Sequence, residues 1–293
     1  MSDIQVNMQE DRKSAGGHMR ARRTVCYIVL GLVSLLCLFW FYVLFINSTR
    51  NNDQLMTAGF TLIPSKYLFA NLNNLFHGTQ PVLTGLLNSV VVSGLTALVC
   101  TYFSTMTAYA IHAYDFKVRN FLFTFILAIM MIPTQVTALG FLDLVRKMGL
   151  EDNFIPLIVP AVASPVVFFY MKQYMESTLP KELLEAARID GAGEIRIFHT
   201  IVLPLMKPAI AVQGIFSFVS SWNNYFTPQL ILHKDKMKTL PIIIAQLRSA
   251  DWLKFDMGQV YITIAFSIFP VIVVYLALSK YIVGGVTLGG VKG

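Results

Sequence analysis

Long apolar runs separated by short polar segments make up most of this chain. Runs of roughly 20 apolar residues recur, enough to cross a hydrocarbon core about 30 Å thick. They predict six membrane-spanning helices at about 24–46, 83–112, 119–140, 154–175, 206–232 and 258–282. The runs are continuous rather than alternating, which argues against a transmembrane barrel. The second and fifth are long enough to tilt or to run past the headgroups. Between them, residues 47–82 are polar and broken by Pro64 and Pro81. Gly149-Leu-Glu-Asp-Asn153 reads as a turn, and residues 233–257 as a polar loop with Lys234, Lys236, Lys238, Asp251 and Asp256. Pro133 is expected to kink or stop the third span. Residues 1–23 are polar and basic and are expected to be disordered.

Composition agrees with the pattern. Hydrophobic residues make up 55% and charged residues 13%, where soluble domains carry about 25% charged. The fold class is therefore all-α, a polytopic membrane protein with six transmembrane helices. Val25 to Ile46 follows Arg20, Arg22 and Arg23 but is too long for a cleaved signal core, so it is expected to stay as the first span. Lysine and arginine crowd the N-terminal tail and the segment from Lys172 to Lys207, which places both inside, although the loop at 233–257 is unusually basic for an outer one. Cys26, Cys37 and Cys100 all lie in apolar spans and read as small buried hydrophobes rather than a disulfide or metal set. Asn47-Ser48-Thr49 matches a glycosylation sequon, a pattern too short to carry weight alone.

The spans contain no Asp or Glu. Intramembrane carboxylates usually serve proton-coupled carriers, so their absence argues against one, while sodium coupling through backbone carbonyls stays open. Lys172, Lys207 and Lys280 sit at span ends, where snorkelling accounts for them. There is no Gly-x4-Gly-Lys-Ser/Thr loop to bind ATP and no His-Glu-x2-His metal motif. Asp190-Gly191 invites comparison with membrane phosphotransferases, but its Ala-Arg pair precedes the Asp-Gly and no second aspartate pair follows. No catalytic residue is assigned.

One polar, helix-forming island interrupts the apolar chain. Ser177 or Thr178 with Pro180 reads as a helix start, Lys181 to Ile189 as a helix, and Asp190-Gly191-Ala-Gly193 as a stop. Glu194 to Leu203 restarts a helix with Ile195, Phe198, Ile201 and Val202 on one face, broken by Pro204 and Pro208. Two readings compete. One is an amphipathic connector lying on the headgroups. The other is a docking plug, in which Ala186 and Ala187 allow close approach, Glu185 offers a carboxylate for a bidentate arginine, and Gly191 makes the bend.

The spacing Glu185-Ala186-Ala187-x3-Gly191-x9-Ile201-x-Leu203-Pro204 resembles the signature of permease subunits of binding-protein-dependent ABC importers. Ile132-Pro-Thr-Gln135, Leu179-Pro-Lys-Glu182, Ser221-Trp-Asn-Asn224 and the ending Gly290-Val-Lys-Gly293 look like the sugar-uptake branch, of the maltose and multiple-sugar type. The likeness covers about residues 25–293. Beside the unmatched basic tail at 1–23, which composition and charge make a disordered cytoplasmic segment, it implies a permease domain at 24–293, with a cytoplasmic coupling loop at about 176–205. It implies that Glu185, Ala186, Ala187, Asp190, Gly191, Leu203 and Pro204 couple to an ATPase. The expected partners are a homologous second permease, a cytoplasmic ATPase dimer, an extracytoplasmic sugar-binding protein and the lipid bilayer, with no nucleic acid. No cofactor is expected on this chain, since ATP and magnesium would belong to the partner ATPase. The expected place is a bacterial inner membrane with both termini cytoplasmic, and the expected mechanism is ATP-driven alternating access. Two departures stand out: the first span lacks a proline near its outer end, and Gly193 replaces a larger or hydroxyl residue.

Ser220-Ser-Trp-Asn-Asn-Tyr225 is a polar patch within the fifth span. Polar side chains there can be interhelical glue, and Trp222 can be an interfacial belt residue. They can also line a sugar path, with amides matching hydroxyls and an aromatic face stacking on C–H groups. In related permeases this span lines the central cavity, so Ser221, Trp222, Asn223 and Asn224 are the substrate-path candidates. An uncharged oligosaccharide is expected, because no lysine or arginine lies at mid-membrane. The alternatives are an ABC importer of a sugar phosphate or polyol, a secondary sugar carrier, and a non-transport scaffold.

Overall fold

The computed structural model describes residues 2–78, 80–249 and 255–289, with side chains described from residue 22 to 281 apart from Thr134. The expected family-like ending Gly290–Gly293 and the loop acid Asp251 lie outside the described residues. In chain order the helices are α1 Ser2–Asn47, α2 Asn52–Ala58, α3 Leu68–His77, α4 Val82–Ala113, α5 Arg119–Ile129, α6 Thr134–Lys147, α7 Ile155–Ile158 and α8 Pro165–Thr178. They continue with α9 Lys181–Ile189, α10 Glu194–Ile197, α11 Leu203–Leu205, α12 Lys207–Trp222, α13 Phe226–Ile231, α14 Leu240–Arg248 and α15 Met257–Gly289. No strand occurs among the described residues, as the all-α expectation requires. The chain divides into two compact units, Met1–Leu72 with Asp256–Ala265, and Asn73–Phe255 with Phe266–Gly293.

Among the described residues, four segments are long and apolar enough to cross a membrane: Arg22–Asn47, Val82–Ala113, Ile155–Thr178 and Met257–Tyr281. A fifth arises if Glu194–Leu205 and Lys207–Trp222, bent by 78°, count as one crossing. The six continuous spans expected from hydropathy are therefore not all realised. The third is interrupted between α5 and α6, because Pro133 has no amide to donate and pushes Ile132 out of the helical region. The fifth ends as a helix at Trp222, with Asn223 as its C-cap. At the N-terminus the helix begins at Ser2 rather than near residue 24. The tail is rich in Gln, Met, Glu, Arg and Lys, which extend a helix already nucleated by the span.

In the first unit, Asn47 is fully buried. Its amide donates to the carbonyls of Val43 (2.6 Å) and Thr61 (3.0 Å) and accepts from the Thr61 amide (3.0 Å). Both ends of the amide are thus engaged in folding the loop after α1, so the sequon is a structural asparagine. Asn71 does similar work, donating to the carbonyls of Ser48 and Arg50 at 2.8 Å each. Cys26 and Cys37 are exposed, contrary to the buried reading, and Cys100 is buried. The reason is that α1 is covered by little else in this chain, so apolar character there meets the bilayer rather than a protein core.

In the second unit α4 is the central rod, packed against α8 and α12. Its 32 residues give a length of about 48 Å, so it projects beyond the hydrocarbon. Its buried face carries small polar residues, Ser89, Ser93, Thr101, Ser104 and Thr105, which let neighbouring backbones approach. Thr101 and Thr105 return their hydroxyls to the carbonyls of Ala97 (2.8 Å) and Thr101 (2.7 Å). At the N-terminal end, Asn88 donates to the carbonyls of Lys236 and Lys238 at 2.9 Å each, and Ser89 accepts from the Leu240 amide at 2.8 Å. Asp152, in the turn after α6, accepts from the amides of His233 (2.6 Å) and Lys234 (2.8 Å). These amides, the Lys234 one first, hold its carboxyl below its ordinary range.

Gly85 is required at the contact of α4 with α14. A Cβ at this position would overlap Ile243 Cδ1 and meet the Leu240 amide nitrogen at 3.5 Å. We expect Gly85→Leu to destabilise the protein by about 1–3 kcal/mol through overpacking. Adding Ile243→Ala should recover most of that loss. Thermal unfolding in detergent measures both, and an unchanged midpoint in Gly85→Leu would show that this contact yields freely.

Candidate functional site

The island at 176–205 folds as a bent pair of helices, though not with the expected caps. Ser177 and Thr178 close α8 instead of starting α9; the Ser177 hydroxyl donates to the Tyr174 carbonyl at 2.8 Å. Pro180 is the N-cap of α9, with φ −63° and ψ 140° and no side-chain cap. Proline is already set to its fixed φ and has no amide to satisfy.

The end of α9 is a Schellman motif. The Ala192 amide donates to the Ala187 carbonyl and the Gly191 amide to the Arg188 carbonyl, both at 3.0 Å. Gly191 has φ +79°, a left-handed conformation that costs an ordinary residue roughly 1–2 kcal/mol. Ala187 thus carries the carbonyl that closes the motif, and Gly191 takes the left-handed position four residues on. The spacing of alanine and glycine in the signature is the spacing this cap demands.

The second helix departs from expectation at two points. Pro204 does not break it. Residues Phe198–Val202 form a π turn, which rearranges the carbonyls that would have sought the missing proline amide, and Pro204 sits in the first turn of α11. The sharp bend comes at Met206 instead. The buried face is Ile197, Phe198, Val202 and Met206, with Ile201 partly buried, while Ile195 is 78% exposed. Together with Leu184, Ala187, Met171, Met175 and Leu179 this face forms the largest core of the unit.

What remains outside is a ridge. Glu185, Ala186, Asp190, Gly191 and Pro204 are exposed, whereas Ala187 is buried and Leu203 partly so. The structure therefore brings Glu185, Ala186, Asp190 and Gly191 together on one surface. It places Ala187 and Leu203 on the supporting side. Ile189 is 86% exposed one helical turn from Glu185, and with Ile195 it adds apolar bulk beside Gly191. Hydrophobic periodicity missed both, since each reads as a buried position until the cap and the π turn set the helix faces.

A cluster of charge and aromatic groups holds the bend. Arg188 Nε donates to Glu194 Oε1 at 2.7 Å, and the Tyr109 hydroxyl of α4 donates to Glu194 Oε2 at 2.6 Å. The guanidinium lies 5.2 Å from the Tyr114 ring centroid. The Arg188 hydrogen bond, with help from Tyr109 and Tyr114, pulls the Glu194 carboxyl down to about 2. Nearby, buried His112 Nε2 pairs with the Leu179 carbonyl at 2.9 Å. Lys172 does not snorkel as expected. It is buried, paired with Glu176, with its ammonium 5.2 Å from the Phe123 ring centroid.

In the fifth apolar segment, Trp222 is 4% exposed and stacked on Phe218, with centroids 5.7 Å apart and planes 16° apart. Ser221 is partly buried, and Asn223 and Asn224 are exposed. Asn224 lines a cavity of about 260 Å³ with Thr137, Thr227, Phe141, Pro156, Pro160 and other apolar residues; no charged side chain lines it. Sequence reading had no means of pairing Asn224 with Thr137, which lies on another segment, whereas Thr227 is only three residues away. No group of His, Cys, Asp or Glu able to hold a metal occurs among the described residues.

Comparison with known proteins gives a consistent result. Residues 102–287 match the family model described as "Binding-protein-dependent transport system inner membrane component". The chain is 38% identical over 267 residues to the arabinooligosaccharides transport system permease protein of Bacillus subtilis (strain 168), covering 89% of this chain and 93% of that one. It is 34% identical over 265 residues to the sn-glycerol-3-phosphate transport system permease protein of Yersinia pestis bv. Antiqua, covering 89% and 94%. In fold it resembles a chain in the crystal structure of a bacterial ABC transporter involved in import of the acidic polysaccharide alginate. The TM-score there is 0.77 at 23% identity, over 89% of this chain and 96% of that one.

Proposed function

Because the chain belongs to the family of binding-protein-dependent transport system inner membrane components, we propose that its exposed ridge at Glu185–Gly191 is where an ATPase docks, and that its cargo is an uncharged oligosaccharide. The chain is a permease subunit of an ATP-driven importer and not an enzyme; hydrolysis belongs to a separate ATPase subunit. Family membership removes the secondary-carrier and scaffold readings. It also implies, in general terms, a second permease, an ATPase and a binding protein as partners. No cofactor is assigned to this chain.

The observation that carries the docking reading is the division of the 176–205 segment into two faces. Its apolar side is packed into the unit's main core, so the segment is not a loose connector on headgroups. Its exposed side offers Glu185 and Asp190, the small Ala186, and the Gly191 bend. Space around Gly191 is open, since a Cβ added there would meet nothing within 4 Å, so a partner can approach the backbone. ATP-driven closure of the ATPases would draw this ridge inward and open the path outward; hydrolysis would reset it.

The concentration of basic residues in the tail and the 176–207 segment supports cytoplasmic placement of both, with 47–82 and 233–257 outside. Counting α5 as a shortened crossing, together with the bent fifth, gives the six crossings that put both termini cytoplasmic. The site for this chain is then an inner membrane, with 24–293 as the permease domain. The neutral-cargo reading rests on the uncharged cavity beside Asn224. The relative named for sn-glycerol-3-phosphate favours a phosphate ester as the second reading, in which the partner permease would supply the cation.

Glu185→Ala should leave the protein in the membrane but weaken ATPase co-purification roughly tenfold, the value of one charge-assisted hydrogen bond. Gly191→Asp should impair both co-purification and uptake. Wild-type values of both in Gly191→Asp would overturn the docking assignment.

Sidedness is tested in a cysteine-free background with an impermeant thiol reagent on intact cells. Ser48 is unsuitable as a reporter because it is buried, whereas Ala58 and Ser177 are exposed. Ala58→Cys should label and Ser177→Cys should not; the reverse pattern refutes the orientation.

Cargo is tested by uptake into proteoliposomes holding the whole importer. A neutral oligosaccharide should be preferred to glycerol 3-phosphate, and Asn224→Ala should reduce its uptake several-fold, about the value of one lost hydrogen bond. Preference for the ester would select the second reading. Undiminished uptake in Asn224→Ala would take that residue off the path.

A further inference from the structure

The ridge explains where an ATPase can grip but not how its movement leaves the 176–205 segment. One contact joins the bend itself to a membrane-crossing helix through an ion pair. Glu194 is held on one side by Arg188 at the end of α9 and on the other by the Tyr109 hydroxyl of α4, at 2.7 and 2.6 Å. Tyr109 is 4% exposed, and its ring lies against Phe198 and Tyr114, with centroids 5.8 and 6.0 Å away. The tyrosine therefore has little freedom to swing while α4 stays still. A second tie lies one turn further along α4, where His112 meets the Leu179 carbonyl ahead of α9.

At its other end α4 is tied just as firmly. Asn88 binds two loop carbonyls, of Lys236 and Lys238, and Ser89 receives the Leu240 amide. Gly85 leaves no room between α4 and Ile243. Between the two ends α4 is an uninterrupted helix with no interior proline. A continuous helix resists axial compression, so displacement of its Tyr109 end moves its Asn88 end.

We propose that Tyr109, Glu194 and Arg188 form a strut that makes α4 move with the coupling helices, and that α4 carries this movement through Asn88 and Ser89 to the 235–239 loop and the start of α14. The inference rests on the proposed docking role of the ridge, but it concerns different residues and a different measurement. Tyr109 and Asn88 are positioning residues; neither touches an ATPase or cargo in this scheme. The Glu194 ion pair matters because it keeps the bend and the rod as one body, and the low pKa of its carboxylate keeps it charged throughout the physiological range.

The test uses the complete importer in proteoliposomes, with the sugar moved per ATP hydrolysed as the readout. Tyr109→Phe removes only the hydroxyl. It should leave membrane level, ATPase co-purification and basal hydrolysis at wild-type values and lower the transport-to-hydrolysis ratio about tenfold, within the usual range of coupling between sites. Asn88→Ala should do the same from the far end. If both act along one rod, the double variant should lose little more than the worse single variant. If Tyr109→Phe fails to accumulate, Glu194→Gln weakens the same contact and takes its place. A wild-type ratio in Tyr109→Phe, or in Glu194→Gln where that variant is used, overturns the strut. Losses that multiply independently in the double variant overturn the rod. Failure of the docking assignment itself is seen separately, as intact co-purification and uptake in Gly191→Asp.

Discussion

Burial of the apolar side of residues 181–206 against the ends of α4 and α8 is the interaction on which the remaining architecture depends. Leu184, Ile197, Val202 and Met206 are at most 1% exposed, as are Met171 and Met175 of α8. Within a bilayer such contacts carry little hydrophobic gain, because lipid is as apolar as a leucine neighbour. Outside it, each fully buried aliphatic side chain contributes about 1.5–3 kcal/mol. This explains why the largest core does not stop among the spans, at Cys100, Val167 and Phe168, but continues into the 181–206 segment.

Rigidity alone would not orient the ridge. The Schellman cap closes α9 at a fixed place, Gly191 turns the chain, and Arg188 folds back onto Glu194 across that turn. The charge pair is only partly buried, so its thermodynamic weight is modest. Its value lies in geometry: a planar guanidinium, a carboxylate with two acceptors and a tyrosine hydroxyl leave few alternative arrangements. The same logic recurs at the opposite end of α4, where Asp152 and Asn88 gather loop amides and carbonyls. Polar side chains are scarce in this chain, and the well-placed ones bind backbone more often than each other.

The fifth apolar segment shows the opposite economy. Trp222, the obvious aromatic platform for a sugar, spends its face on Phe218. Asn224, Thr137 and Thr227 line a cavity without charge, while a second, larger cavity beside α4 and α12 has Lys207 in its lining. An apolar cavity with a few neutral hydrogen-bonding groups suits hydroxyl-rich cargo, whereas a phosphate would lose its hydration there without a counter-charge. Relatives named for arabinooligosaccharides and for sn-glycerol-3-phosphate are both similar to this chain, so family membership by itself does not select the cargo.

Taken by itself, the sequence determined the all-α membrane class, the position of the polar island, the helix Lys181–Ile189 and the turn at Gly191. These follow from local chemistry: run length, composition, and a glycine where the chain must take positive φ. It also carried the family signature, in which the cap of α9 demands a glycine at a particular spacing. Tertiary structure alone decided which side of each helix faces inward. Ile189 and Ile195 were indistinguishable from core residues until the cap and the π turn set the register, and Ala187 was indistinguishable from Ala186. Pro204 looked like a breaker because local rules cannot see that a π turn will take up its missing hydrogen bond. The break in the third crossing was half legible, in Pro133. The link from Glu194 to Tyr109 was not legible at all, since 85 residues separate them and no local pattern brings distant side chains together.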